Sequence, residues 1–457
     1  MAFIIVGCQS YEPKPLDLGS YRNSLETRLV DIESVEAFAS RLALNNRVPT
    51  EFDISDGITP AEGEVIALFY NPELRIARLE AGVALANFET SGLWEDPVFG
   101  FDGAKISSPS APFQFGLMGN FTIPISGRLK IEKTQAGSAY ETQLREVVHA
   151  EWNTRSRLRS LWSKWVAATL QAELIHDVID QLEQIHDIAN TLFESGELNR
   201  VENRLIQVEL ASFDVQVTEA KLLLLEVEME LLALMGLPPE GIDYLLPEFP
   251  AIPTTFVEDE TARIIDANTE LAVLFAKYQT AEETLRLEIK KQYPDIVFGS
   301  GYGSEFNDHR VLFGLSIPLS IWNRNQAGIA EARTKREVAR AYAEITFARL
   351  YRELSLANET LTMKEQQYSY YEEEIVPLLA EQTRDIQNIV ALGEIDTFIL
   401  LETMTRQFEA KTRLLHLELE EIDALIAVHT ILGPDFQLNP SPMIRELKTN
   451  DTLGGVQ

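Results

Sequence analysis

The chain carries one plan twice, 197 residues apart, so whatever it folds into must place two equivalent halves side by side. Asn71-Pro72-Glu73-Leu74 returns as Asn268-Thr269-Glu270-Leu271, and the proline of Pro97-Val98-Phe99-Gly100 is in step with that of Pro294-Asp295-Ile296-Val297-Phe298-Gly299. Gly196-Glu197-Leu198 matches Gly393-Glu394-Ile395, and Leu234-Met235-Gly236 matches Ile431-Leu432-Gly433, in the same register. Phe121-Thr122-Ile123-Pro124-Ile125-Ser126 and Leu315-Ser316-Ile317-Pro318-Leu319-Ser320 stand 194 apart, which predicts a second hairpin three residues shorter and a following helix three longer. The copies divide the chain into repeat 1 (60–253) and repeat 2 (254–436). Around them lie an N-terminal segment (9–59), read as tether or equatorial packing, and a mostly polar tail (437–457).

Within each copy the periodicities change in a fixed order. Pro60 to Thr90 reads as a helix rich in Ala, Leu and Glu; Asp96 to Ile106 and Phe113 to Ile125 then read as the strands of a hairpin spanning 96–125. On the second strand Phe113, Phe115, Leu117, Phe121, Ile123 and Ile125 fall on one face, with Gln114, Gly116, Asn120 and Thr122 on the other. In the hairpin of copy two (295–320), Val311, Phe313, Leu315, Ile317 and Leu319 oppose Gly314 and Ser316. This is the alternation of a wall with lipid on one side and a lumen on the other, and a half-buried soluble sheet alternates in the same way.

The helices separate the two readings. Gly127 to Glu194 contains no proline and reads as one helix of about 68 residues, roughly 100 Å at 1.5 Å per residue. Asn199 to Met235 runs back along it, and the sum of this helix and the one before the hairpin nearly equals the long one. Two shorter helices stacked end to end beside a continuous one are therefore expected. Copy two repeats the arrangement with Thr261 to Lys291, Arg324 to Val390 and Thr397 to Leu432. The turns at 195–199 and 392–396 become the tips of two long helical hairpins. Gly196 and Gly393 suit the left-handed residue that ends the long helices, and Asp396 suits an N-cap.

Composition narrows the partners. With 39 basic against 71 acidic residues the net charge is -32, which excludes binding to a nucleic-acid backbone. No run of eighteen apolar residues is present, so a membrane can be crossed only as a β-barrel. Four strands cannot close one, because unpaired edge groups in lipid cost several kcal/mol each. The chain must therefore oligomerise or stay out of the bilayer. Trp94 and Trp322 sit where the hairpins meet the helices, at the expected membrane interface; a plain packing role for each is equally open. The single cysteine, Cys8, follows Ile5-Val6-Gly7 and resembles the end of a bacterial lipoprotein signal, incomplete as written, with lipidation of Cys8 as the consequence. No phosphate loop, dinucleotide fingerprint, nucleophile elbow or zinc motif occurs, and the six histidines are scattered, so no enzymatic activity, metal site or cofactor is expected beyond a lipid on Cys8.

The order of elements, the duplication, the hairpin ending Ile123-Pro124-Ile125-Ser126-Gly127-Arg128 and the turn Leu392-Gly393-Glu394-Ile395-Asp396 together resemble the TolC-like outer-membrane efflux proteins over roughly residues 60 to 436. The resemblance implies a mainly α fold with a membrane β-barrel part: a homotrimer whose twelve strands form one barrel, continued by a periplasmic α-helical tunnel. It implies a passive duct in the outer-membrane lipid, coupled through a periplasmic adaptor protein to an inner-membrane efflux transporter. On that pattern Gly196, Glu197, Gly393, Glu394 and Asp396 mark the adaptor-docking tips, and the gate acids fall at Glu202 and Glu402. A second gate acid and a tip arginine of the family are replaced here by Ile399 and Ile395. Asn199 to Glu202 also fits a local capping box, a reading independent of any gate. The alternative architecture is a soluble, elongated coiled-coil scaffold whose hairpins pack on its own helices.

Overall fold

The computed structural model describes residues 11–28, 30–43, 52–105, 113–239, 245–252, 259–305, 308–391 and 397–435. Cys8 and the turn 392–396, with Gly393, Glu394 and Asp396, lie outside the described residues. Two short helices, α1 (Leu18–Glu26) and α2 (Ile32–Ala43), precede the repeats. Repeat 1 is α3 (Pro60–Tyr70), α4 (Pro72–Thr90), β1 (Val98–Ala104), β2 (Gln114–Ile123), α5 (Arg128–Ser195) and α6 (Arg200–Met235). Repeat 2 is α7 (Glu260–Ala267), α8 (Thr269–Lys290), β3 (Ile296–Glu305), β4 (Asp308–Ser316), α9 (Gln326–Tyr370), α10 (Val376–Ala391) and α11 (Thr397–Leu432).

The helix expected before each hairpin is in fact two. Asn71 ends α3 and caps α4, its side chain accepting from Leu74 N at 3.0 Å while its amide donates to the Leu234 carbonyl at 2.8 Å. Asn268 repeats both bonds, to Leu271 N (3.0 Å) and Ile431 O (2.8 Å). The proline after Asn71 enforces the break, because the residue before a proline avoids the helical region. Gly236 and Gly433 complete each joint at φ +70° and +78°; a Cβ there would meet the carbonyl oxygens of Tyr70 and Ala267. Two of the four landmarks of the repeat are thus the two sides of one contact, made once per copy.

The long helix of copy one is continuous over 68 residues. Its counterpart is not regular: Tyr371–Ile375 forms a π-helical turn between α9 and α10, two residues before Pro377. A proline ring collides with the carbonyl four residues back in an α-helix, and a wider turn moves that carbonyl away. The three extra residues of copy two also fall elsewhere than expected. They are Ile321-Trp322-Asn323, in the link from β4 to α9, closed by Arg324 and Asn325 at φ +44° and +52° rather than by a longer helix.

α5 lies between α4 and α6 of its own copy and α8 and α11 of the other, and α9 lies beyond α8 and α11. The seam between copies carries polar residues at seven-residue intervals on α5. Gln135 donates to Thr284 (3.4 Å), Thr142 meets Thr280 (3.0 Å), His149 meets Thr269 (2.8 Å) and Ser156 accepts from Thr430 (2.8 Å). Such positions fix register at some cost in stability. The main core gathers Val35, Phe38 and Leu42 of α2 with Ile66 and Leu68 of α3, Leu158 and Trp162 of α5 and Leu231 and Met235 of α6.

Beside this core, charges are buried in pairs. Glu64 contacts Arg159 at 2.5 Å and Arg155 at 3.7 Å, and Arg78 pairs with Glu151 at 3.0 Å. Arg159 also donates to Nδ1 of His429 at 3.2 Å, which requires a lone pair on that nitrogen. Burial first, and then the Arg159 charge, hold His429 down to about 4.

Two outcomes follow. Asn71→Ala removes a cap and leaves the Leu234 carbonyl without its donor, with an expected loss of about 2 kcal/mol seen as a lower thermal midpoint by circular dichroism. The neutral His429 contributes stability that is complete above its unfolded value of 6.5 and is lost as pH falls from there through about 4. The thermal midpoint should decline over that window and decline less in His429→Asn.

Candidate functional site

Two regions carry the functional features, the sheet and the helical tip. The sheet has the order β1-β2-β3-β4 and is antiparallel throughout. Register pairs place residues on a common face: Phe101 opposite Leu117, Leu117 opposite Tyr302, Phe121 opposite Phe298, Phe298 opposite Leu315 and Tyr302 opposite Val311. One face therefore presents Phe99, Phe101, Phe115, Leu117, Phe121, Ile123, Ile296, Phe298, Tyr302, Val311, Phe313 and Leu315. The other presents Asp102, Gln114, Asn120, Thr122, Arg310 and Ser316 among Gly100, Gly116, Gly299, Gly301, Gly303 and Gly314, with Val98, Met118, Val297 and Leu312 as its apolar members. The alternation expected of each second strand extends across all four, and the two hairpins agree in direction.

Among the described residues no strand packs against a helix, so neither face of the sheet has a cover within the chain. Phe99, Phe313 and Leu315 are 73%, 75% and 65% exposed. This contradicts the alternative in which the hairpins pack on the chain's own helices. Each aromatic left in water forgoes roughly 1.5–3 kcal/mol of burial, and β1 and β4 leave their outer ladder groups unpaired within the chain.

The joint between sheet and helices is polar. Asp295, at the start of copy two's hairpin, accepts from Ser126 Oγ at 2.8 Å and pairs with Arg128 at 3.5 Å, while Arg128 reaches Glu132 at 2.6 Å and Glu95 at 3.1 Å. Gly127, at φ +72°, turns the chain from strand into α5. The pairing of Asp295 with Arg128 leaves no mark in the sequence, since the two are 167 positions apart. Trp94 and Trp322 flank this joint and are 61% and 74% exposed, so neither is packed in the chain.

At the tip, Gly196 stands at φ +83° and ends α5, with Glu197 N donating to Leu192 O at 2.9 Å. Asn199 caps α6 and Glu202 accepts from the Asn199 amide at 3.2 Å, so the capping box is formed. Glu197 is exposed, whereas Glu202 is held by its own helix. Glu402 pairs with Arg406 at 2.6 Å, both side chains 60% exposed, a contact worth less than about 1 kcal/mol in solvent. A short ladder not evident in the sequence ties the hairpin below the turn: Asn203 donates to Asn190 at 3.1 Å and Asn190 contacts His186 at 3.0 Å. Only the four-residue spacing of His186 and Asn190 hinted at it.

No family model matches the chain. Over 242 residues it is 22% identical to the cobalt-zinc-cadmium resistance protein CzcC of Cupriavidus metallidurans, a match spanning 52% of this chain and 58% of that protein. Among solved structures, CusC, described as forming a transmembrane channel, superposes with a TM-score of 0.70 at 16% identity, covering 83% of this chain and 93% of its own. The CmeC outer-membrane channel of Campylobacter jejuni does so with a TM-score of 0.71 at 16% identity, over 88% and 94%. The open MtrE outer-membrane channel of Neisseria gonorrhoeae gives 0.70 at 16% identity, over 83% and 89%. The chain has the fold of these outer-membrane channels, and the TolC-like resemblance of its sequence is a resemblance of structure as well.

The formed capping box sets an expectation for Glu202→Ala: fraying of the first turn of α6 by about 1 kcal/mol, read as faster hydrogen exchange at the Asn199 amide.

Proposed function

We propose that this chain is the outer-membrane duct of a tripartite efflux system, a passive channel rather than an enzyme. In this reading three copies join β4 of one to β1 of the next into a twelve-stranded barrel, and their helices continue as a tunnel through the periplasm. The observation that carries it is the uncovered aromatic face of a sheet with two open edges, in a chain with the fold of outer-membrane channels. Lipid covers that face, and neighbouring strands satisfy the edges. The helices support the same stoichiometric logic. α6 leaves Val201, Val208, Val215 and Leu222 exposed at seven-residue spacing, and α9 leaves Leu356, Met363 and Tyr370 exposed at the same spacing. These are unpartnered coiled-coil seams on the two outer flanks of the helical layer.

The tips around Gly196 and Gly393 meet the periplasmic adaptor, which joins the duct to an inner-membrane transporter that supplies energy and selectivity. Lipidation at Cys8 tethers the N-terminal segment to the membrane. The sequence match to a cobalt-zinc-cadmium resistance protein favours divalent metal ions as the exported class.

Fractionation followed by sizing in mild detergent tests this reading. Three chains of 51.5 kDa in the outer-membrane fraction, about 150 kDa of protein, are expected; a water-soluble monomer or dimer contradicts it. Neighbouring positions on β4 give a finer comparison. Phe313→Arg puts a charge on the lipid face and should cost about 2–4 kcal/mol near the bilayer centre, abolishing the heat-resistant oligomer on gels. Leu312→Arg, on the opposite face, should retain it.

A further inference from the structure

At the base of the sheet in copy one a groove of about 650 Å³ opens between the end of α4 and the start of α5. Phe88, Trp94 and Leu129 give it an apolar wall, Gly137 a shallow floor, and Lys130 and Lys133 a cationic rim. Trp94 also lines a second depression of about 370 Å³ with Gly119, Phe121 and Ser300 of the apolar sheet face; Glu95, Asp96, Pro97 and Asn120 form its other side, with the Glu95 carboxylate held by Arg128 at 3.1 Å. The two depressions meet at one indole, so a single elongated molecule can lie against the aromatic face and end at the lysines.

The charges point to what that molecule is. The chain carries a net -32, yet α5 opens with Arg128, Lys130 and Lys133 and no acid in its first turn, at the positive end of the helix dipole. Arg128 is occupied by Glu132, Glu95 and Asp295, and Glu141 at the far end of the groove is occupied by Arg145 at 2.7 Å. Among the described residues no carboxylate pairs with Lys130 or Lys133; Lys133 lies 5.6 Å over the Phe88 ring. Copy two has no equivalent pair of lysines, since the positions 197 residues after Lys130 and Lys133 are Ala327 and Ala330; a separate groove at the link from β4 to α9 is lined by Trp322, Arg324 and Lys291, and its Lys291 is held by Glu288 at 2.5 Å.

We propose that this groove in copy one binds an anionic phospholipid of the adjoining leaflet, its phosphate between Lys130 and Lys133 and its acyl chain along Trp94 and Phe121. The inference rests on the membrane placement of the sheet. Basic side chains beside an interfacial aromatic are the pairing that recognises phosphate at a bilayer surface, and two lysines supply on the order of a tenfold preference.

The test uses the purified full-length oligomer in non-ionic detergent, titrated with phosphatidylglycerol, phosphatidylcholine or inorganic phosphate and read by native mass spectrometry. Phosphatidylglycerol should be retained about tenfold more than phosphatidylcholine, the preference should vanish in Lys130→Gln/Lys133→Gln, and inorganic phosphate should not compete. Equal retention of the two lipids, an unchanged preference in the double variant, or competition by inorganic phosphate overturns the proposal. In parallel, brominated phospholipids in reconstituted vesicles should quench Trp322, which lies outside the groove. Quenching without lipid preference removes the lipid site alone, whereas no quenching removes the membrane placement beneath it.

Discussion

A four-stranded sheet with one aromatic face and two open edges is the constraint on which the rest of this structure depends. In water it would leave Phe99, Phe101, Phe313 and Leu315 solvated and two rows of ladder groups without partners. Neither deficit is met inside the chain, since no described helix covers the sheet. Both are met together if sheets from several chains join edge to edge with lipid outside. The glycines of the opposite face, Gly100, Gly116, Gly299, Gly301, Gly303 and Gly314, fit the same arrangement, since they leave room where a closed wall crowds its interior.

The helical part is tied to the sheet and to itself by polar contacts between the copies. The joint of Ser126, Arg128 and Asp295 binds the hairpin of one copy to the long helix of the other, and the polar ladder along α5 fixes how far the copies slide. Their twin asparagine contacts, Asn71 to Leu234 and Asn268 to Ile431, lock each break between stacked helices to the end of the returning one. The long helices of the two copies differ. α5 runs unbroken, while its counterpart carries a π turn before Pro377, so the second hairpin contains a local irregularity that the first lacks.

Much of this was legible in the sequence because it is periodic or duplicated. The span of α5, the return of α6 and α11, the order of elements and the direction of the sheet's apolar face follow from period and repeat. The breaks at Asn71 and Asn268 were hidden because the helical pattern continues through them; what makes them breaks is a hydrogen bond to a residue 163 positions away. Pro377 announced the π turn, but an uninterrupted apolar pattern around it reads as plain helix. At the tip, the capping box of Asn199 and Glu202 was readable because it is local. The ladder through Asn203 and the cluster around Asp295 were not, since pairings across a turn or between copies leave no mark in spacing.

The central claim is that β1 and β4 are joined between chains, and cysteine cross-linking addresses it most directly. Within one chain the two strands are separated by three inter-strand steps, about 14 Å, twice the roughly 7 Å that a disulfide spans between Cα atoms. In a Cys8→Ser background, Phe101→Cys can be combined in turn with Val311→Cys, Phe313→Cys or Leu315→Cys and oxidised in membranes. The account expects at least one pair to give a denaturing-gel ladder that ends at three chains. A ladder that stops at two chains, or no cross-link from any pair, would contradict it.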